Sequence, residues 1–290
     1  MKLVKIFSAA ILAVSALSSC SDSGYWDEAP LEQGLSFQCN TYNDPLSPGA
    51  AEIVIPLRRT VTAGAQTVNI TFTPNANCPS DITVPSQVTF EDGKNTTEVV
   101  ISIANAMPPT TYAGKLSFEA DKSYAGISTV TLNCPVNYTW VSLGKGIFID
   151  QWALDDKETE VEIMQAEGFQ RWRVMQPYNE GMAEDTGDWG DWRTGKYPAY
   201  IEFWETTING QTLLTWNAFS VGINYQAKAD QPIGCYPPSA LRETMENCRW
   251  YAPGYACLSP YYYVNGVGGW NLSENFGVIQ IIFPSYLEQE

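Results

Sequence analysis

From residue 34 onward the chain runs in short stretches where apolar and polar residues alternate, with Gly, Pro, Asn and Asp between the stretches. A period of two puts successive side chains on opposite faces of a strand, whereas a helix would repeat near every 3.6 residues. In the first half this pattern predicts seven strands, at residues 35–39, 52–58, 67–73, 83–90, 97–103, 112–119 and 127–134. Val99, Ile101 and Ile103 fall on one face, Glu98 and Ser102 on the other; Leu116 and Phe118 alternate with Lys115, Ser117 and Glu119. Seven such strands predict an immunoglobulin-like β-sandwich over residues 34–136. Pro135 cannot continue a central strand, and the composition changes after it.

Residues 137–290 predict a second antiparallel sandwich or barrel, so the fold class is all-β throughout. Its strands are expected at 147–152, 160–165, 169–175, 199–205, 213–216, 219–224, 262–265 and 278–283. On 169–175, Trp172 and Val174 share a face and Arg171 and Arg173 the other; on 199–205, Tyr200, Glu202 and Trp204 oppose Ile201 and Phe203. One short helix is expected at 239–249, capped by Ser239, with Glu243 and Glu246 in its N-terminal half.

The first 33 residues break this alternation. Lys2 and Lys5 precede an apolar run at 6–17 and then Leu17-Ser18-Ser19-Cys20, the layout of a secretory signal over residues 1–19. Small residues before a cysteine resemble the lipobox of bacterial lipoproteins. That resemblance implies a diacylglyceryl group on the Cys20 sulfur, cleavage ahead of it, and an outer-membrane protein held by its lipid alone and facing the cell surface. Residues 20–33 carry Asp22, Asp27, Glu28 and Glu32 with Gly24 and Pro30 and form an acidic tether. The tether is either a solvated linker or, by its resemblance to lipoproteins of gut commensals, an export signal.

Charge narrows the partners. Sixteen basic residues less Lys2 and Lys5, against 32 acidic ones, leave a processed chain at −18. Such a chain repels phosphate, which disfavours nucleic acid and anionic lipid surfaces. The chain has no histidine, so the usual general base of serine and cysteine hydrolases and the commonest zinc ligand are absent. Six cysteines besides Cys20 suggest disulfides in an exported protein, Cys39 with Cys134 and Cys248 with Cys257 or Cys235.

Three runs carry a second resemblance: Val88-Thr89-Phe90-Glu91-Asp92-Gly93, Val99-Val100-Ile101-Ser102-Ile103 and Tyr112-Ala113-Gly114-Lys115-Leu116-Ser117-Phe118. They resemble Calx-beta-like domains. Calcium-binding members have an acidic pair where this chain has Ala104-Asn105-Ala106, so the resemblance implies a spacer domain without that ion. The Trp140-Val141-Ser142-Leu143-Gly144-Lys145-Gly146 opening, Gln176-Pro177-Tyr178 and Gly268-Gly269-Trp270, read as a turn, resemble an uncharacterised C-terminal domain of gut-commensal surface lipoproteins.

Nine of the ten tryptophans lie from Trp140 onward, which moves the candidate chemistry into the second domain. In Glu184-Asp185-Thr186-Gly187-Asp188-Trp189-Gly190-Asp191-Trp192, Asp185, Asp188 and Asp191 recur every third residue and form a weak candidate site for Ca²⁺; no other cofactor is expected. Trp189 and Trp192 either fold back as a lid over the core or form a sugar-stacking platform together with Tyr200, Glu202 and Trp204. Tyr261-Tyr262-Tyr263 and Trp270-Asn271 add further amphipathic rings. The leading expectation is a surface lipoprotein that binds extracellular polysaccharide, and no catalytic residue is assigned. A structural or adhesive protein with a protein partner comes second. A glycoside hydrolase using Glu202 with Asp188 or Asp191 comes third, and would need carboxyls ~5 Å apart or ~6.5–9.5 Å apart.

Overall fold

Alternation becomes strand almost everywhere in the computed structural model, which describes residues 34–119, 126–178, 190–241, 245–271 and 278–288. The chain divides into two compact units, Met1–Tyr138 and Thr139–Glu290. The first holds β1 (Leu35–Phe37), β2 (Thr41–Tyr42), β3 (Glu52–Arg59), β4 (Gln66–Pro74), β5 (Ile82–Thr83), β6 (Gln87–Phe90), β7 (Thr96–Ile103), β8 (Thr111–Phe118) and β9 (Thr129–Pro135). They make two sheets, β1-β3-β7-β5 and β2-β9-β8-β4-β6. Ile53, Ile55, Leu57, Val99 and Ile101 from one sheet and Ile70, Leu116, Val130 and Leu132 from the other bury into one core, as a sandwich requires.

Two expected strands of this unit break. The 83–90 run splits at Pro85, which has no N–H to give a ladder; β5 pairs with β7 and β6 with β4, so the chain changes sheets there. The 35–39 run stops at Phe37, and the chain returns as β2, parallel to β9. The 104–106 segment is held by Asp81, whose Oδ2 accepts from Asn105 N at 3.1 Å and Tyr112 Oη at 3.0 Å. Burial and Asp81 push the Tyr112 phenol up to about 12.

The second unit holds β10 (Trp140–Asp150), β11 (Thr159–Ala166), β12 (Arg171–Met175), β13 (Tyr200–Ile208), β14 (Gln211–Trp216), β15 (Phe219–Asn224), β16 (Pro232–Tyr236), β17 (Arg249–Ala252), β18 (Tyr255–Leu258), β19 (Tyr261–Val264), β20 (Gly268–Asn271) and β21 (Ile279–Ile282). An eight-stranded antiparallel sheet, β14-β13-β12-β11-β10-β21-β18-β17, faces a four-stranded one, β15-β16-β19-β20. The large sheet nearly closes on itself: Leu214 N donates to Cys248 O at 2.7 Å and Trp250 Nε1 to Glu205 Oε1 at 2.7 Å, across its two ends. Phe148, Ile163, Trp172, Val174, Ile201 and Phe203 pack with Ile233, Cys235, Tyr262 and Val264 between the sheets.

The helix expected at 239–249 gives way to a 3-10 turn at Pro238–Leu241 and, from Arg249, to β17. The backbone there is drawn elsewhere, with Ser239 N on Met245 Sδ and Cys248 O on Leu214 N. β20 replaces the turn expected at 268–270. No disulfide joins the described cysteines, against the pairings expected from their number. Cys134 points into the core with Sγ 3.9 Å from Tyr42 O, and Cys248 Sγ accepts from Ser259 N at 3.3 Å and donates to Ser259 O at 3.7 Å. Burial pushes both of these thiols up to about 11, away from the thiolate that disulfide exchange needs.

Candidate functional site

The register of β12 on β13 builds the site. Trp172 and Val174 pair with Phe203 and Ile201 on the core face, which sends Arg171 and Arg173 to the outer face opposite Trp204 and Glu202. The hairpin after β13 turns on Asn209-Gly210, both at positive φ, the combination a two-residue type I′ turn demands. Tyr200, Glu202 and Trp204 thus share the outer face, as their alternation predicts.

Glu202 bridges both arginines. Its Oε1 accepts from Arg171 Nε at 2.5 Å and pairs with Arg171 Nη2, and its Oε2 accepts from Arg173 Nε at 2.7 Å. The Arg171 guanidinium lies 4.1 Å from the Trp204 ring centroid, and that of Arg173 lies between Trp140 and Tyr200, at 3.9 and 4.0 Å. A planar guanidinium can stack on rings while its edge holds a carboxylate, so each side chain fixes its neighbours. Beside this ladder an open cleft of about 490 Å³ is lined by Arg173, Ala199, Tyr200, Glu202, Asn217 and Phe219, among others. Asn217 and Phe219 were not among the expected site residues; Asn217 lies in the short β14–β15 connection and Phe219 opens β15.

The other expected residues do not assemble there. Trp189, Asp185 and Asp188 lie outside the described residues. Asp191 is exposed on a 3-10 turn at Gly190–Trp192, and among the described residues no three His, Cys, Asp or Glu side chains gather around a point that could hold a metal. Trp192 is half-buried against the core with its ring edge-on to Tyr225, centroids 5.2 Å apart. Gly195 N on Gly222 O at 3.0 Å and Asn224 Nδ2 on Thr194 Oγ1 at 3.1 Å tie its segment to β15. That is the lid alternative for Trp192, and the ring is not part of the lining of the cleft. Glu202 is held by two guanidiniums in the ladder.

A buried centre escaped the sequence reading. Asp150 ends β10 with no exposure; its Oδ1 accepts from Trp152 N at 3.0 Å and Ala153 N at 2.8 Å, its Oδ2 from Tyr178 Oη at 2.9 Å and Tyr262 Oη at 2.7 Å. Desolvation raises the Asp150 carboxyl above its ordinary range although all four bonds favour the anion. Burial and the Asp150 charge hold the Tyr178 and Tyr262 phenols far above theirs. The sequence signal was an apolar strand, Ile147-Phe148-Ile149, ending in an acid, which reads equally well as the edge of a loop.

No protein-family profile and no curated protein matches the chain. Among solved structures it is similar to a protein of unknown function from Bacteroides ovatus, at 10% identity and a TM-score of 0.37 over 89% of this chain and 92% of that one. It is also similar to a multidomain protein including DUF1735 from Bacteroides ovatus, at 8% identity and 0.36 over 87% and 93%. The E. coli chaperone DraB is similar over 63% of this chain and 80% of its own, at 13% identity and 0.26.

Proposed function

We propose that this chain is a lipoprotein anchored at Cys20 in the outer membrane and exposed at the cell surface, and that its second unit binds extracellular glycan in the cleft beside Tyr200. The first unit serves as a spacer. The observation that carries the reading is the fixed ladder Trp140, Arg173, Tyr200, Glu202 and Arg171, of which Arg173, Tyr200 and Glu202 line an open cleft. Vicinal sugar hydroxyls are met by planar groups with fixed donors and acceptors, and sugar C–H faces by aromatic rings. Holding those groups in place before the ligand arrives lowers the ordering cost of binding.

A glycan array probed with the full chain, followed by Tyr200→Ala, tests the reading. Tyr200 is 39% exposed, so its loss should leave the thermal midpoint within a few degrees. Affinity for the retained glycan should fall by about tenfold, as loss of an aromatic anchor at the centre of an interface does. Retention of no glycan, or undiminished binding by Tyr200→Ala, would overturn the proposal.

A further inference from the structure

The outer face of the small sheet follows a different rule from the ladder. Ile233 and Cys235 of β16 and Tyr262 and Val264 of β19 point into the core, so Gly234 and Tyr236, and Tyr261 and Tyr263, point out. In the register Gly234 lies opposite Tyr263, and Tyr263 opposite Gly269 of β20. Tyr263 is thus flanked by a glycine on each neighbouring strand. Tyr236 lays its ring over Gly234 and Tyr261 lays its ring over Gly269, in space that any Cβ there would fill. Tyr263 stands at 89° to Tyr236, with centroids 6.1 Å apart, so the tyrosines make a floor and a wall. All three are half-buried and keep part of their surface exposed.

We infer that this face is a second binding site, for a neutral hexopyranose polysaccharide stacked on Tyr236 and Tyr261 and walled by Tyr263. Charge selects the ligand class. The outward positions Pro232, Gly234, Tyr236, Tyr261, Tyr263 and Gly269 carry no charge in a chain of net charge −16. An uncharged floor has no cation for an anionic sugar, and the rest of the chain repels one. A neutral pyranose needs only exposed ring surface for its C–H groups and phenol hydroxyls beside it, and three partly exposed tyrosines offer both kinds of group. A ring laid over glycine also covers bare backbone, so the test has to separate affinity from stability.

This inference shares its ligand class with the proposed function and not its site. Affinity electrophoresis through gels holding mannan, β-glucan or starch compares the full chain with Tyr200→Ala and with the double variant Tyr236→Ala, Tyr261→Ala. At least one neutral polysaccharide should retard the wild type and Tyr200→Ala equally and the double variant at least tenfold less. Should the double variant fail to fold, nitration of wild-type tyrosines mapped by mass spectrometry replaces it: the polysaccharide should protect Tyr236 and Tyr261 and leave Tyr251, which is 73% exposed, reactive. Retardation lost only in Tyr200→Ala, or protection absent at Tyr236 and Tyr261, would overturn this site and leave the proposed cleft standing. Retardation lost only in the double variant is the expected result and leaves the cleft to the array. No retardation by any of the three polymers would overturn the platform alone, because the array tests the cleft separately.

Discussion

The second unit carries two aromatic faces built on opposite principles. On the large sheet, guanidiniums occupy the ring faces: Arg173 fills the gap between Trp140 and Tyr200, and Arg171 covers Trp204. On the small sheet, glycine backbone lies beneath Tyr236 and Tyr261, and the outward positions of β16 and β19 carry no charged residue. The first arrangement spends ring surface on internal order and offers a ligand polar edges and a cleft. The second leaves its rings free of guanidinium among the described residues and obtains order from the absence of two Cβ atoms. Aromatic content alone therefore says little about binding; what each ring rests on decides what it can still offer.

The largest test of the comparison removes what ties the two sheets together. Asp150 ends β10 of the large sheet and is held by Tyr262 of β19 in the small one. Asp150→Ala leaves four donors without an acceptor, three of them in buried hydrogen bonds, each buried one costing ~1–3 kcal/mol before relaxation, so urea unfolding should report a loss of about 3–5 kcal/mol. The pH dependence has a definite sign. A carboxyl raised above its ordinary 3.8 contributes stability as the protonated form, present in full below that value and lost as pH rises through the folded one. The stability of the wild type relative to Asp150→Asn should therefore fall from pH 4 to pH 8. A difference that grows with pH would show that the four hydrogen bonds outweigh desolvation.

The alternation rule made the sandwich legible because β3, β7, β8 and β9 each bury every second residue. It also placed Tyr200, Glu202 and Trp204 on one face. It missed β16, β17, β18 and β20, strands of four or five residues that are too short to show a period of two, with Gly or Pro inside β16 and β20. It likewise missed residues 140–146 of β10, where Gly144 and Gly146 interrupt the pattern beside a register shift. The partners of Glu202 were visible as outward arginines on 169–175, but nothing in one dimension shows that β12 lies against β13 in that register. Asp150 was illegible for a further reason: a buried acid differs from a solvated one only in its neighbours, and Tyr262 is 112 residues away.

The glycine face should be sensitive to a single methyl group. In Gly269→Ala the added Cβ overlaps the Tyr261 ring, and overpacking of this kind costs ~1–3 kcal/mol. Adding Tyr261→Ala should recover part of that loss, because the clash and its partner are removed together; a double-mutant cycle in urea reads the coupling. Strictly additive losses would mean that Gly269 is needed for its backbone and not for the ring above it.

The smallest effect belongs to the charged face and separates it from the glycine face by salt. Glu202→Gln keeps the shape of the ladder and removes the charge that Arg171 and Arg173 share. Arg171, Glu202 and Arg173 side chains are 17%, 15% and 24% exposed, so the pair is screened in part and the expected loss is about 1 kcal/mol at low ionic strength. The guanidiniums keep their ring contacts, which limits the damage, since cation–π stacking needs no counter-ion. At 1 M NaCl the screening length is about 3 Å, and the difference between Glu202→Gln and wild type should shrink to a few tenths of a kcal/mol. The Gly269→Ala loss is steric and should keep its size from low to high salt. If salt leaves the Glu202→Gln deficit unchanged, the carboxylate acts through fixed hydrogen-bond geometry rather than charge, and the contrast between the two faces is one of packing alone.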